Sequence, residues 1–558
     1  MKRPALSELS LTEKIAQLLM IADERIMYKE VNGENDLRPQ EEIDEIMKKC
    51  QFGGYWHTGS IKMDIVNLSE WSTGRRMTLE ESKAHIENLQ KNIRIPMLVA
   101  MDAENGVGYA LSTGSVVPSP LSIGAANDLE LIKKLYEGVA LELRAAGANW
   151  RWVPVIDRIN RYSSSISRVF SDDVNRLTDF ATAAIRGTES AHVASTVKHF
   201  PGSDGLDVRD SHFASSDMSI PMDEWWEKQG KVFQNMIDAK VMTIMVHHGS
   251  FSTVDDTMLN GKYIPSSLSR KVVQGLLREQ MGFEGVIITD AMGMAAVNNY
   301  YSTYDEMIVA AINAGNDMLL GVRPEAFGIA CQAVADGRIP MERIDESCER
   351  LLDLKEKIGL FDDEIKNEVI DIPAASKMVR EASEKISEKA ATLLYDRANI
   401  IPVSKDKVKD VTIIYASHFP GTGEELKVMK DEFEKRGATA NIYNGMPPGG
   451  IDAAAKSDLI VYVGYVAMHR PLGLPTLYGD QLSMFVRAFT KGREKSIGVS
   501  MGYPYLHFDV MTGADTFVNI YSPDPEAQKA FVKGIYGEIP FAGVSPVDIE
   551  PKIREIYC

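Results

Sequence analysis

The first two thirds of the chain alternate short apolar runs with longer amphipathic stretches, and this alternation limits the possible folds more than any other feature. Five runs are rich in Val, Ile or aromatic residues and are bounded by polar residues, which is typical of buried strands. These runs end at Met101, Ile156, Val197, Val246 and Thr289. Helix-like segments lie between them, including Leu129 to Ala146 and Leu268 to Met281. Apolar strands that alternate with helices indicate a parallel sheet covered by helices.

The number of these units predicts an α/β fold that begins with a (β/α)₈ TIM barrel, whose usual size is about 250 to 400 residues. We predict the barrel at 1–365 and a charged, helical linker at 366–390. The alternation then restarts, and residues 391–558 are predicted to form a smaller α/β sandwich domain. This second part has neither a GxGxxG fingerprint nor a GxxxxGK loop, so no nucleotide cofactor is expected.

Composition excludes several classes of partner. The formal net charge of -18 argues against nucleic acid and anionic membranes, which require clustered Lys and Arg. The longest apolar stretch, at 459–468, is too short to span a bilayer. The N-terminal segment lacks the apolar core and cleavage site of a signal peptide, and the four cysteines form no CxxC pair. We therefore expect a cytoplasmic protein with free thiols.

A polar side chain directly follows each of the five apolar runs. In chain order these residues are Asp102, Asp157, Lys198 with His199, His247 with His248, and Asp290. The carboxyl ends of parallel barrel strands meet at one face, where TIM-barrel active sites lie. A single polar residue would merely let its strand leave the core, but five such positions favour a shared polar pocket.

Two segments have the residue types that acid–base and nucleophilic chemistry requires. In GVIITDAMGM (285–294), the strand-end carboxylate of Asp290 is followed by small residues, which suits a nucleophile as well as a helix N-cap. Asp210 and His212 lie two residues apart on a polar loop, so the carboxylate could orient the imidazole as a general acid/base. His247 and His248 have no third ligand at zinc-site spacing, so no metal site is predicted.

These segments resemble family 3 glycoside hydrolases, especially the bacterial β-N-acetylglucosaminidases. The resemblance rests on KHFPG (198–202), DSH (210–212), ITDAMGM (288–294), LTEKIAQLLMI (11–21) and GEIPFAGVSPV (537–547). It extends over nearly the whole chain and agrees with the barrel and sandwich predicted above.

The resemblance implies a retaining exo-β-N-acetylglucosaminidase without a cofactor, which acts on a small carbohydrate such as a cell-wall or chitin fragment. It makes Asp290 the covalent nucleophile and His212 the acid/base, with Asp210 as the partner of His212. It also implies that five residues bind the sugar: Asp102, Arg168, Lys198, His199 and His248.

Three other functions remain open. A β-glucosidase or β-xylosidase of the same family usually takes its acid/base glutamate from the second domain, which a complete Asp-Ser-His segment makes unnecessary. A phosphorylase would use phosphate in place of water, and a neutral imidazole would not repel that acceptor as a carboxylate does. A catalytically inactive sugar-binding protein would be expected to lack the nucleophile or the acid/base.

Overall fold

The computed structural model describes residues 2–31, 34–59, 76–163, 165–203, 207, 209, 212–417, 423–466, 477 and 482–549. The chain divides into two compact units. The first unit contains Met1–Val116, Lys133–Arg158 and Ala181–Val379. The second contains Val117–Ile132, Ile159–Phe180 and Arg380–Cys558. The boundaries at 1–365, 366–390 and 391–558 stay a prediction.

The first unit is built on eight parallel strands. They are β1 (Leu19–Ala22), β2 (Gly54–Trp56), β3 (Leu98–Met101), β4 (Trp150–Arg151), β5 (Ala194–Phe200), β6 (Thr243–Val246), β7 (Val286–Thr289) and β8 (Leu319–Val322). Strands β1 to β7 pair in chain order, and β8 pairs with β1. A parallel bridge between Ile288 and Met318 joins β7 to the start of β8. The predicted (β/α)₈ barrel is therefore confirmed.

Helices and helical turns precede, connect and follow the barrel strands. In chain order they are Leu11–Gln17, Asp23–Met27, Gln40–Cys50, Leu79–Gln90, Leu129–Ala145, Val174–Ser190, Met222–Glu227, Gln229–Asp238, Lys271–Gln280, Ala295–Asn298, Tyr304–Ala314, Glu325–Ala335 and Met341–Lys357. The helix Tyr304–Ala314 shows how local sequence sets these bounds. The Thr303 hydroxyl accepts a hydrogen bond from the Glu306 N–H, and Gly315 ends the helix with a φ of 115°.

Two predicted elements differ from the structure. The apolar run that ends at Ile156 forms only the two-residue strand β4, because Pro154 has no N–H to donate to a neighbouring strand. The helix predicted at Leu268 to Met281 is a 3₁₀ turn at Ser266–Leu268 followed by a π-helix at Lys271–Gln280. Ser267 does not cap this helix; its hydroxyl bonds to the ring of His248.

The second unit contains a six-stranded sheet. Its strands are β9 (Thr392–Asp396), β10 (Asp410–Ser417), β11 (Thr439–Asn444), β12 (Leu459–Val466), β13 (Ser496–Gly502) and β14 (Thr516–Asn519), in the order β9-β14-β13-β12-β10-β11. Strand β9 is antiparallel to β14, and the other pairs are parallel. The helices at Lys427–Lys435 and Pro525–Ile535 supply Phe433 and Phe531 to the buried core. The predicted α/β sandwich is confirmed.

The segment predicted as a linker contains the whole of the helix Ile372–Ala390. Shorter helices of the later part of the chain are Asp363–Lys366, Gly450–Ala454 and Leu506–Asp509, and Pro120–Ala126 belongs to the second unit. Within the described residues, no helix combines the length and the apolar character needed to cross a bilayer.

Candidate active site

Asp290 lies directly after β7 and is fixed by backbone contacts on both sides. Its own N–H donates to the Val246 carbonyl at the end of β6, with an N···O distance of 2.8 Å. Its Oδ1 accepts a hydrogen bond from the N–H of Ala291 at 2.7 Å. The carboxylate is half-buried, so a rigid strand end presents it at the carboxyl face of the barrel.

Histidines keep the Asp290 carboxyl ionised. Burial alone would raise its pKa, but the nearby imidazoles of His199, His248 and His212 lower it well below the ordinary value for aspartate. The side chain is therefore a carboxylate at neutral pH. An ionised carboxylate on a rigid support is what nucleophilic attack on an electrophilic carbon requires.

His248 supports the segment that follows Asp290. The ring is fully buried, its Nε2 lies 3.0 Å from the Ala291 carbonyl oxygen, and its Nδ1 lies 2.7 Å from the Ser267 hydroxyl. Since a carbonyl only accepts, Nε2 donates its proton there and Nδ1 accepts from Ser267. Burial lowers the pKa of His248, which favours this neutral form. The predicted sugar contact of His248 stays a prediction, and the geometry favours a positioning role.

His199 is oriented by an aspartate from the preceding strand end. The Asp157 carboxylate accepts from the His199 backbone N–H at 2.9 Å and lies 2.7 Å from its Nδ1. Burial would raise the pKa of Asp157, but His199 lowers it below its ordinary value. Asp157 is thus an anion that fixes the ring of His199 with Nδ1 toward the carboxylate.

Lys198 joins two acidic side chains from the segment after β3. Its Nζ lies 3.1 Å from Asp102 Oδ1 and 2.7 Å from Glu104 Oε1. The lysine side chain is buried, whereas that of Asp102 is 48% exposed and open to a ligand. Arg151 supports the same segment, because its guanidinium donates twice to the Ala103 carbonyl. Sequence analysis missed Glu104, although it stands two residues after Asp102.

The structure places the remaining predicted site residues in different parts of the chain. His212 is half-buried, and its carbonyl accepts from the Ala295 N–H at 3.2 Å, which ties its loop to the segment after Asp290. Asp210 lies outside the described residues. Arg168 ends the 3₁₀ turn Ile166–Arg168, which belongs to the second compact unit. The roles of these residues stay predictions.

His247 makes the stability of the folded protein depend on pH. Its Nε2 donates to the Gly202 carbonyl, its Nδ1 accepts from the Gly249 N–H, and burial lowers its pKa to about 4. An unfolded histidine, with a pKa of about 6.5, binds a proton first as the pH falls. This contribution is therefore complete above about pH 6.5 and is lost progressively toward pH 4. We expect His247→Gln to weaken the pH dependence of the melting temperature across this interval.

Thermal unfolding at a series of pH values measures this effect. His192→Gln is the matched control, since His192 lies outside the site on the turn after a barrel helix, and it should keep the wild-type slope. An unchanged slope in His247→Gln would show that His247 does not titrate as described.

The chain is similar to known proteins in both sequence and fold. The sequence pattern "Glycosyl hydrolase family 3 N terminal domain" matches residues 10–354. A Cellulomonas fimi protein named "Beta-N-acetylglucosaminidase/beta-glucosidase" is 25% identical over 500 residues, which are 85% of this chain and 87% of that protein. A "Beta-hexosaminidase" of Xylella fastidiosa (strain 9a5c) is 32% identical over 269 residues, or 46% of this chain and 77% of that protein. The solved structure "Beta-glucoside phosphorylase BglX bound to 2FGlc" has a TM-score of 0.81 and 26% identity, and the match covers 97% of this chain and 95% of that one.

Proposed function

Because the chain belongs to glycosyl hydrolase family 3 and is therefore a glycoside hydrolase, we propose that it is a retaining exo-β-N-acetylglucosaminidase with Asp290 as its covalent nucleophile. The observation that carries this proposal is the half-buried Asp290 carboxylate, which backbone hydrogen bonds with Val246 and Ala291 fix at the carboxyl end of β7. Its substrate would be a terminal β-linked N-acetylglucosamine on a cell-wall or chitin fragment.

In the first step, Asp290 attacks the anomeric carbon while the bond to the leaving oxygen breaks. His212 donates its proton to that oxygen, so the aglycone leaves as a neutral alcohol and a glycosyl ester of Asp290 remains. In the second step, the neutral His212 takes a proton from water as the water attacks the same carbon. The ester bond breaks, Asp290 is released as a carboxylate, and His212 is again protonated.

The other side chains position the sugar in this proposal. Asp102 accepts hydrogen bonds from sugar hydroxyls, and the buried Lys198 holds it in place through their 3.1 Å contact. His199, oriented by Asp157, donates to the sugar. Asp210 orients His212. The name of the Cellulomonas relative supports N-acetylglucosamine as the sugar, and the name of the Xylella relative supports a hexosamine.

A phosphorylase is the second candidate, and the likeness to a β-glucoside phosphorylase structure supports it. A histidine acid/base suits either acceptor, because the imidazole is neutral after it has protonated the leaving group. An incoming phosphate dianion would then meet no additional negative charge from that group. The glycosyl-Asp290 step is the same in both cases.

One assay separates these functions. We expect hydrolysis of an aryl β-N-acetylglucosaminide with kcat/KM at least about tenfold above that of the matched aryl β-glucoside. This ratio needs only about 1.4 kcal/mol of differential transition-state binding. Phosphate should leave the hydrolytic product unchanged. A preference for the glucoside would contradict the sugar assignment, and a sugar 1-phosphate product would establish the phosphorylase.

The anomeric form of the first product tests the two-step mechanism separately. Attack by Asp290 and then by the acceptor inverts the anomeric carbon twice, so proton NMR should show the β-anomer before mutarotation. With phosphate as acceptor the same route gives a β-phosphate. An initial α-anomer would exclude the covalent role of Asp290.

A further inference from the structure

A second polar cluster of the barrel plays no part in the proposed mechanism. Asp23 directly follows β1, His57 directly follows β2, and His85 lies on the helix Leu79–Gln90. One nitrogen or oxygen atom from each of these three side chains lies within 4.8 Å of those of the other two. Asp23 and His57 are each 1% exposed, so two of the three side chains of the cluster are shielded from solvent.

The hydrogen bonds around His57 show that a proton or a cation must lie between its ring and Asp23. The Ser82 hydroxyl has one proton, which it donates to the Ala146 carbonyl at 2.7 Å. Its oxygen therefore accepts from His57 Nε2, which lies 2.9 Å away and must carry a hydrogen. A neutral His57 then turns the bare lone pair of Nδ1 toward the Asp23 carboxylate, 3.0 Å from Oδ2 and 3.3 Å from Oδ1. Only a proton shared between the ring and the carboxyl group, or a cation, can make this contact favourable.

The two carboxylate oxygens of Asp23 have different neighbours. Oδ2 accepts from the Thr58 N–H at 2.6 Å, from the Thr58 hydroxyl at 2.9 Å and from the Gly59 N–H at 3.3 Å. Oδ1 instead faces His57 Nδ1 at 3.3 Å and His85 Nε2 at 3.8 Å. The Tyr55 hydroxyl contacts this same Oδ1 and lies 2.9 Å from His85 Nε2.

The distances of 3.3 and 3.8 Å from Asp23 Oδ1 to the ring nitrogens of His57 and His85 are close to those around a tetrahedral metal ion. Zinc bonds to nitrogen and oxygen of about 2.0 to 2.1 Å place neighbouring ligand atoms about 3.3 to 3.5 Å apart. Two imidazoles and one carboxylate form a typical zinc ligand set. The Ser82 hydroxyl, which accepts the outer N–H of His57, is the kind of second partner that fixes a metal-binding histidine.

We propose that Asp23, His57 and His85 bind a divalent zinc-like ion. The burial of Asp23 and His57 makes this a structural site, since catalytic zinc sites keep an open position. The ion would tie the ends of β1 and β2 to the helix Leu79–Gln90. Sequence analysis expected no metal, because these ligands are far apart in the chain and match no zinc-binding pattern.

Metal content and thermal stability of the full-length protein test this site. We expect about one zinc ion per chain by elemental analysis, a lower melting temperature after chelation, and recovery on addition of zinc. Replacing the chelated zinc by Co²⁺ should give the visible absorption of a tetrahedral cobalt site. His85→Gln should weaken zinc binding more than about 100-fold, because loss of an outer partner alone costs 10- to 100-fold.

Two further variants make the result specific. His85→Cys keeps a zinc ligand at this position and should retain the metal, whereas His192→Gln should bind zinc as the wild type does. His85 is on a helix surface and half-buried, so its substitution should leave the fold intact. A metal-free protein whose melting temperature responds to neither chelator nor zinc would overturn the proposal. The cluster would then be a hydrogen-bonded pair of Asp23 and doubly protonated His57.

Discussion

Asp290→Asn is expected to lower kcat for β-glycosides by about 10⁴-fold or more, because an amide cannot form the glycosyl ester. The fold should survive. The asparagine oxygen can still accept the Ala291 N–H, and the backbone bond to Val246 does not involve the side chain. Steady-state kinetics together with thermal unfolding separate the loss of chemistry from a loss of structure.

Asp256→Asn is the matched control for this loss. Asp256 belongs to the same compact unit, and its side chain is 87% exposed. It should keep wild-type kcat. Activity of Asp290→Asn within about tenfold of the wild type, with the protein folded, would contradict the nucleophilic role.

His212→Ala should give a defect that depends on the leaving group. General acid catalysis contributes about 10²- to 10⁴-fold, and a glycoside with an alkoxide leaving group needs all of it. An acidic phenol leaves without a proton, so cleavage of such aryl glycosides should be slowed far less. The measurement is kcat/KM across a series of aryl leaving groups, where His212→Ala should show a steeper dependence on phenol pKa than the wild type.

Azide tests the second step of the same variant. Without a general base the glycosyl ester should accumulate, and azide, which needs no deprotonation, should restore turnover and form a β-glycosyl azide. Asp210→Ala should show a milder form of this behaviour if its carboxylate orients the ring. An equal loss for every leaving group and no azide product would mean that His212 has no role in proton transfer.

Strand prediction succeeded where an apolar run is continuous and bounded by polar residues. Strands β3, β5, β6 and β7 fit this description; β3, β6 and β7 end where the sequence predicts, whereas β5 continues past Val197 to Phe200. Strand β2 has three residues, and Gly321 interrupts the apolar character of β8, so neither run is distinct from its surroundings. Strand β4 was predicted too long because the apolar pattern continues beyond Pro154, where strand pairing is interrupted.

The rule that polar residues directly after parallel strands form the site explains which site residues the sequence predicts and which it misses. It identified Asp102, Lys198, His199 and Asp290, all of which follow or end predicted strands. Asp23 and His57 obey the rule equally, but their strands had not been singled out for it. Pairings such as Asp157 with His199 depend on the relative register of parallel strands, which local sequence does not specify.

A fluorosugar labelling experiment tests the central claim, that Asp290 forms the covalent intermediate, most directly. An activated fluoroglycoside forms the glycosyl ester quickly and loses it slowly, so the intermediate can be trapped and its site identified by peptide mass spectrometry. We expect one sugar per chain, attached to Asp290 within residues 285–294, and no label on Asp290→Asn. A label on any other residue, or an equally labelled Asp290→Asn variant, would contradict the assignment.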